Sequence, residues 1–246
     1  MYDRLIAETI RVQGDGGDWI DAYLARPLTD GPLGAVVVIH HMPGWDEASK
    51  EITRTFAAHD YLAICPHLHH REGPNASPDD AAAAARAQGM VPDARFLGDF
   101  RASVNFLRQL PQSNGKVGTI GYCSGGRQAY IAACNSDIQA AVDCYGGRVV
   151  ASPDQLTERQ PVAPIDMTPD LGCPLLGLFG EDDANPDPKQ VATIEAALKE
   201  HGKTYEFHSY PNAGHAFFSV DRPSYRVEAA NDGRQRVWAF FRQHLC

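Results

Sequence analysis

The feature that most constrains the fold is a series of short apolar runs alternating with helix-like stretches. The runs lack the polar alternation of a half-buried strand, which is typical of strands buried on both faces. Between them, apolar residues recur at helical spacing, as at Phe96, Phe100, Val104 and Leu107. This arrangement favours an α/β fold with a mainly parallel central sheet flanked by helices. The runs are 35–39, 61–65, 117–120, 140–142 and 174–179.

The N-terminal segment has a different pattern, in which apolar and polar residues alternate. Ile20 and Leu24 belong to such an alternation, and the segments 5–12 and 19–25 flank a glycine-rich stretch at 14–17. Alternation on either side of a turn is typical of a hairpin with one buried face. We therefore expect an antiparallel hairpin at the N-terminal edge of the sheet.

No break in composition, internal repeat or long linker divides the chain. The alternation of strands and helices continues to the C-terminus and is interrupted only by the proline-containing stretch 148–171, which we interpret as a loop. Open α/β sheets of 246 residues commonly fold as one unit. The sequence thus predicts a single domain over 1–246.

Composition excludes several classes of function. The net charge is −9, without a basic cluster, which argues against a nucleic-acid partner. The start of the chain lacks the apolar stretch of a signal peptide, and no segment approaches the ~20 apolar residues of a membrane span. The six cysteines are too widely spaced for a disulfide scaffold or a zinc knuckle. We expect a cytoplasmic protein with free thiols that acts on a small molecule.

The strongest chemical motif is Gly121-Tyr122-Cys123-Ser124-Gly125, which follows an apolar strand and precedes a helical stretch. It matches a nucleophile elbow with Cys in place of Ser. The sharp turn between strand and helix crowds the backbone, which explains the two glycines. The N-terminus of the following helix favours a thiolate and a developing oxyanion. The motif predicts that Cys123 is a nucleophile.

An acid and a histidine follow in the order that an elbow enzyme requires. The stretch Gly180-Glu181-Asp182-Asp183 ends an apolar strand, and His215 lies in a loop after another strand. The order nucleophile, acid, histidine is that of the α/β-hydrolase triad. We therefore predict that Asp183 and His215 complete a triad with Cys123, with Asp182 as the alternative acid.

At this point the chain resembles the dienelactone hydrolase family of α/β-hydrolases over nearly its whole length. The stretches 113–118 and 121–126 carry the most specific part of the resemblance. It implies a Cys-His-Asp triad at Cys123, His215 and Asp183. The oxyanion would be held by backbone N–H groups, one from Ser124 and one, from the loop after Ile39, at Met42.

The chain also departs from the family pattern. His41 stands where the resembled enzymes usually carry a glutamate that controls the thiol. An imidazole there could pair with the thiolate, donate to the substrate, or only tether its loop by hydrogen bonds. The arginines that bind a substrate carboxylate are also missing, with Ser219 four positions after His215, although Arg86 and Arg148 could replace them. Further candidates for substrate binding or thiol tuning are Trp45, Tyr122 and Tyr145.

Histidines are concentrated after two of the predicted strands. His40 and His41 follow one strand, and His67, His69 and His70 follow another. A zinc or iron site is conceivable, but no Asp or Cys at ligand spacing accompanies them. Imidazoles lining a polar mouth are the simpler interpretation, so we predict no metal and no cofactor.

The sequence therefore predicts a cysteine-dependent, carboxymethylenebutenolidase-like hydrolase of small carboxylic esters or lactones. Two alternatives remain open. One is a thioesterase or acyl transferase with the same triad. The other is a non-catalytic ligand-binding member of the fold. The sequence does not indicate an oligomeric state.

Overall fold

The structure is a computed structural model and describes residues 4–246. The described residues do not include Met1, Tyr2 and Asp3. These three residues belong to the N-terminal stretch from which the absence of a signal peptide was predicted. The chain divides into two compact units. The first unit runs up to Thr119 and includes 157–160 and 245–246; the second comprises 120–156 and 161–244.

The eight strands belong to one mixed sheet in the order β1-β2-β4-β3-β5-β6-β7-β8. Antiparallel pairing is confined to the N-terminal strands, where β2 pairs with both β1 and β4. The pairs β3 with β4, β6 with β7, and β7 with β8 are parallel. The strands are β1 Leu5–Gln13, β2 Trp19–Pro27, β3 Leu33–Ile39, β4 Leu62–Pro66, β5 Ser113–Tyr122, β6 Ala140–Cys144, β7 Leu175–Gly180 and β8 Tyr205–Tyr210.

Six α-helices separate or follow the strands. Their helical spacing places apolar residues on a buried face, as for Phe96, Phe100 and Leu107, which are fully buried. The helices are α1 Glu47–Ala58, α2 Pro78–Ala87, α3 Asp93–Gln109, α4 Ser124–Asn135, α5 Pro188–Glu200 and α6 Val227–Leu245.

Burial along the strands follows the apolar pattern of the sequence. Every residue of β4 and β7 is buried, and β3 is buried after its first residue. Burying a Val, Leu or Ile side chain fully stabilises the fold by roughly 1.5–3 kcal/mol. The edge strand β1 is mostly exposed or half-buried. Strands that are buried on both faces therefore form the interior of each unit.

Parallel pairing brings strand ends together within each unit. In the first unit, β3 and β4 end side by side, so the loops after Ile39 and Pro66 leave the same edge. In the second unit, three strands end side by side, β6, β7 and β8. Their loops begin after Cys144, Gly180 and Tyr210. Ligands and reactive groups of α/β proteins are commonly found at such edges.

The predicted fold class is confirmed, including the N-terminal hairpin, which pairs Leu5 with Pro27 through Gln13 with Trp19. The stretch 148–171 contains no strand or α-helix and forms two short 3₁₀ turns, at Pro153–Gln155 and Pro164–Asp170. All six cysteines are free thiols. Within residues 4–246, no helix combines the length and apolar character needed to cross a membrane. The single-domain interpretation stays a prediction.

Candidate active site

Cys123 occupies a strained turn between β5 and α4. Its φ is 57° and its ψ is −119°, a conformation that is costly for a residue with a side chain. A Cβ on Gly121 would lie 1.8 Å from the Gly125 carbonyl oxygen, so this turn requires glycine at position 121. The Cys123 N–H donates to the Cys144 carbonyl oxygen at the end of β6 (3.0 Å). The predicted elbow geometry is therefore present, with the thiol partly exposed.

The first N–H groups of α4 are available beside the thiol. Ser124 is the first residue of the helix, and the leading N–H groups of a helix have no acceptor within it. They also lie at the positive end of the helix dipole. Negative charge that develops next to Cys123 is therefore stabilised by this end of α4.

Asp183 is the carboxylate that contacts His215. Its Oδ2 lies 2.8 Å from His215 Nδ1, and the residue is 5% exposed, whereas Asp182 is exposed. The other oxygen, Oδ1, accepts a hydrogen bond from the Asn185 N–H (2.8 Å). Gly180 allows this approach, because a Cβ there would lie 2.2 Å from the carbonyl oxygen of Ala213 in the histidine loop.

His215 is hydrogen-bonded to both Cys123 and Asp183. Burial opposes its protonation, but these two partners outweigh burial and raise the pKa of His215 to about 10. The raised pKa favours the protonated form of the imidazole at neutral pH. A protonated imidazole beside a thiol is the arrangement that favours a thiolate nucleophile.

Aromatic side chains surround the histidine. The Tyr145 ring is edge-on to the His215 ring at 5.2 Å and also contacts Tyr122 and Phe218. Tyr122 is partly exposed and packs edge-on against Phe218 at 5.8 Å. Tyr145 is 1% exposed, so it supports the site from within instead of lining an open surface.

Three residues that the sequence predicted for the site, His41, Met42 and Trp45, lie in the first unit, in the loop after β3. His41 Nε2 is 2.6 Å from Asp46 Oδ2, and this hydrogen bond, opposed by burial, lowers the pKa of Asp46 to about 2. Met42 belongs to the turn closed by the Gly44 N–H on the His41 carbonyl (3.0 Å). The Trp45 indole N–H donates to the backbone of Cys65 (2.9 Å).

The histidines after β3 and β4 form a buried imidazole cluster of His40, His67, His69 and His70. His40 packs edge-on against His69 at 4.8 Å, and His67 does so against His70 at 5.6 Å. Burial lowers the pKa of His40 to about 4, of His67 to about 3 and of His69 to about 2. No three His, Cys, Asp or Glu side chains in the part of the chain that the structure describes are arranged to hold a metal ion.

Sequence reasoning missed two residues near the Asp183–His215 pair. Asn185 holds Asp183 through its backbone N–H. Asp143 is buried in β6 and accepts the Gly146 N–H (2.7 Å). Burial raises the pKa of Asp143 to about 7, against the effects of this N–H and of His215. The only sequence signal was the pair Gly146-Gly147 after an apolar strand, which indicates a turn and no more.

Comparisons with known proteins identify the relatives of this chain. The sequence profile described as the dienelactone hydrolase family matches residues 20–245. A Methylorubrum extorquens protein provisionally named carboxymethylenebutenolidase is 34% identical over 243 residues, covering 98% of this chain and 82% of that protein. A Bradyrhizobium protein provisionally named 2-oxo-3-(5-oxofuran-2-ylidene)propanoate lactonase is 31% identical over 241 residues, covering 93% and 95%.

A solved structure is also similar over its whole length. The crystal structure of a protein from Klebsiella pneumoniae, provisionally named a dienelactone hydrolase, has a TM-score of 0.88 to this chain. The two are 33% identical, and the match covers 98% of this chain and 99% of the other. The chain therefore belongs to the dienelactone hydrolase family and is an ester or lactone hydrolase with the α/β-hydrolase fold.

Proposed function

We propose that the chain is a cysteine-dependent hydrolase of small carboxylic esters or lactones, with Cys123, His215 and Asp183 acting as a triad. The observation that carries the proposal is the continuous chain of hydrogen bonds from Cys123 through His215 to Asp183. The strained elbow supports it, because unfavourable backbone conformations concentrate at functional sites.

In the first half of the reaction, the Cys123 thiolate attacks the carbonyl carbon of the substrate. The carbonyl oxygen becomes an oxyanion, which collapses as the bond to the leaving oxygen breaks. His215 gives its proton to that oxygen, and the product is a thioester at Cys123. Asp183 holds the imidazole in the tautomer and orientation that this proton transfer needs.

In the second half, water attacks the thioester. His215 accepts the proton of the water, the bond between sulfur and carbon breaks, and the carboxylic acid product leaves. The proton on His215 then restores the resting imidazolium beside the thiolate. Each oxyanion is stabilised by the Ser124 N–H, with the Met42 N–H as the proposed second donor.

The substrate is proposed to be uncharged. Ser219, four positions after His215, supplies no positive charge. Arg148 donates to the backbone oxygen of Gln155, and Arg86 is exposed on α2. We expect kcat/KM for neutral esters and simple lactones to equal or exceed that for anionic dienelactone. A strong preference for dienelactone would show that an arginine binds the substrate carboxylate.

The remaining candidates have narrower proposed roles. His41, oriented by Asp46, tunes the thiol or donates to the substrate. Tyr122, partly exposed beside the nucleophile, contacts the substrate, and Trp45 supports the loop after β3 through its bond to Cys65. We propose a cytoplasmic location, since six free thiols are typical of a reducing compartment.

The test is hydrolysis of short aryl esters, simple lactones and dienelactone by the wild type and two matched variants. Cys123→Ala should abolish turnover while leaving the circular dichroism spectrum unchanged. Cys134→Ala removes a buried thiol from α4 and should retain turnover. Comparable activity of folded Cys123→Ala would refute the mechanism.

Product analysis separates the reaction classes. Free carboxylic acid from oxygen esters supports the proposed hydrolase. Exclusive cleavage of thioesters, or transfer of the acyl group to an added alcohol or amine in preference to water, would favour a thioesterase or an acyl transferase. Absence of acyl labelling at Cys123 by every ester would favour a non-catalytic binding protein.

A further inference from the structure

The turn at the end of β6 is strained and tightly fixed. We call residues Asp143–Arg148 the β6 turn. Tyr145 within it has a φ of 45°, a conformation that is rare and costly for an aromatic residue. Its N–H donates to the Leu178 carbonyl of β7 (2.9 Å). Strain of this kind persists only where the surroundings impose it, so the conformation of Tyr145 calls for an explanation.

The β6 turn contacts the nucleophile through its backbone. The Cys144 carbonyl, which immediately precedes Tyr145, accepts the Cys123 N–H at 3.0 Å. The turn also approaches the first turn of α4 closely, since a Cβ on Gly146 would lie 2.6 Å from the Arg127 nitrogen. The position of the elbow therefore depends on the backbone of the β6 turn.

The side chain of the same residue contacts the histidine. The Tyr145 ring lies 5.2 Å from the His215 ring with an interplanar angle of 64°. The ring thus packs against His215 and restricts its orientation.

The end of the turn reaches the acid. The Arg148 N–H donates to the Asn185 side-chain oxygen (3.3 Å), and the Asn185 N–H donates to Asp183 Oδ1 (2.8 Å). Arg148 also has a positive φ, of 63°. One turn of six residues therefore has a contact path to each of the three triad residues.

We propose that Tyr145 is a positioning residue for the triad. Its strained backbone places the Cys144 carbonyl on the nucleophile, and its ring fixes His215 against that nucleophile. The inference rests on the proposed function, because it assigns Tyr145 to the reaction of the Cys123–His215 pair. Tyr145 itself does not touch the substrate.

Two substitutions separate the ring from the hydroxyl. Tyr145→Leu removes the ring and should lower kcat on the order of 10- to 100-fold with little change in KM, as expected for small misplacements of catalytic groups. It should also slow alkylation of Cys123 by iodoacetamide at pH 7 and shift the pH profile of that reaction. Tyr145→Phe keeps the ring and should retain kcat within about fivefold, since only the neutral hydroxyl is lost.

Tyr130 provides the matched control. It is a fully buried tyrosine of α4 whose hydroxyl lies 2.6 Å from the Thr168 hydroxyl. Tyr130→Leu should lower the melting temperature as Tyr145→Leu does, without shifting the alkylation profile. An equal loss of kcat in both leucine variants, a Phe variant as damaged as the Leu variant, or wild-type kcat in Tyr145→Leu would each overturn the proposal.

Alkylation is measured without a substrate, so the two proposals can fail separately. If the triad proposal is wrong, Cys123→Ala retains turnover. If only the Tyr145 proposal is wrong, Cys123→Ala is inactive and Tyr145→Leu is alkylated with the rate and pH profile of the wild type.

Discussion

The second unit holds a histidine whose pKa is raised, His215, whereas the first unit holds three whose pKa values are lowered, His40, His67 and His69. His215 is half-buried, and its pKa is raised to about 10 by Asp183 and Cys123. His69 is 3% exposed, and burial next to other imidazoles lowers its pKa to about 2. Both follow strands of the same sheet. The side chains that contact a histidine, and not its position after a strand, therefore decide whether it is suited to proton transfer.

His41, in the first unit, shares one feature with His215. It has a carboxylate partner, Asp46, at 2.6 Å. Asp46 also caps α1, because its other oxygen accepts the Ser49 N–H (2.9 Å). Asp183 shares its second oxygen in the same way with a backbone N–H, that of Asn185. The two His–Asp pairs thus resemble each other, and the bond to Cys123 is what distinguishes His215.

Replacing one histidine from each unit gives the largest expected effect. His215→Ala should lower kcat about 10⁴-fold or more, because it removes the group that transfers the proton. His69→Ala, the matched variant, should stay within about tenfold of the wild type, since a buried neutral imidazole has no part in the proposed reaction. Steady-state kinetics on an aryl ester measure both. Equal losses of kcat in the two variants would contradict the proposed difference in role between His215 and His69.

The double variant tests whether Cys123 and His215 act as a unit. Members of a triad do not contribute additively, so Cys123→Ala with His215→Ala should be no worse than the more damaging single variant. A loss equal to the product of the two single losses would indicate independent roles.

Substitutions of the two neighbouring aspartates should differ in their effect on kcat by almost as much as those of the two histidines. Asp183→Asn should lower kcat by on the order of 10³- to 10⁴-fold, because an amide cannot fix the same tautomer of His215 or stabilise its charge. Asp182→Asn should remain within about threefold, since Asp182 is exposed. The same ester assay, with melting temperatures as a control for folding, decides the assignment. The reverse ranking would transfer the role to Asp182.

Much of this site could be predicted because its signals are local. The glycines around Cys123 reflect crowding within a single turn, and the buried strands are visible as apolar runs. Asp183 could not be separated from Asp182 by sequence, since a shift of one residue changes which side chain faces the histidine. In the structure, it is Asp183 that contacts His215, 32 residues away.

The buried imidazole cluster and the β6 turn lacked a local signal. The protonation of His40 and His69 depends on burial produced by the whole first unit. The proposed role of Tyr145 depends on the contact of its ring with His215 and on the contact of the preceding Cys144 carbonyl with Cys123, and these partners come from different strand ends. Long-range packing of this kind leaves no fixed spacing in a single sequence.

The two kinds of histidine should give opposite dependences of stability on pH. His40, His67 and His69 have folded-state pKa values below the ordinary 6.5. The unfolded chain takes up protons below pH 6.5 that the folded cluster does not, so stability falls as the pH drops toward 4. The limit for each imidazole is about 1.4 kcal/mol per pH unit. Urea unfolding between pH 4.5 and 7 measures this loss.

His215 affects the stability of the protein in the alkaline range, because its folded-state pKa of about 10 lies above 6.5. Its contribution to stability is complete below pH 6.5 and is lost as the pH rises through 10. His69→Gln should weaken the acid dependence, and His215→Gln should weaken the alkaline one. A wild-type stability that is flat between pH 7 and 4.5 would mean that the cluster histidines protonate normally in the folded protein.

The smallest expected effect concerns His41 and would sharpen the comparison of the two His–Asp pairs. The resemblance assigns position 41 to a carboxylate that controls the thiol. If His41 tunes the thiol as proposed, His41→Glu opposes thiolate formation and should slow iodoacetamide alkylation of Cys123 at pH 7 roughly 3- to 10-fold. His41→Gln keeps a hydrogen-bonding group for Asp46 but removes the possible positive charge, so its effect should be smaller. His59→Gln, at the exposed end of α1, controls for the loss of a histidine elsewhere in the first unit. Unchanged rates in both His41 variants would mean that the His41–Asp46 pair only holds its loop, and that His215 and the elbow alone control the thiol.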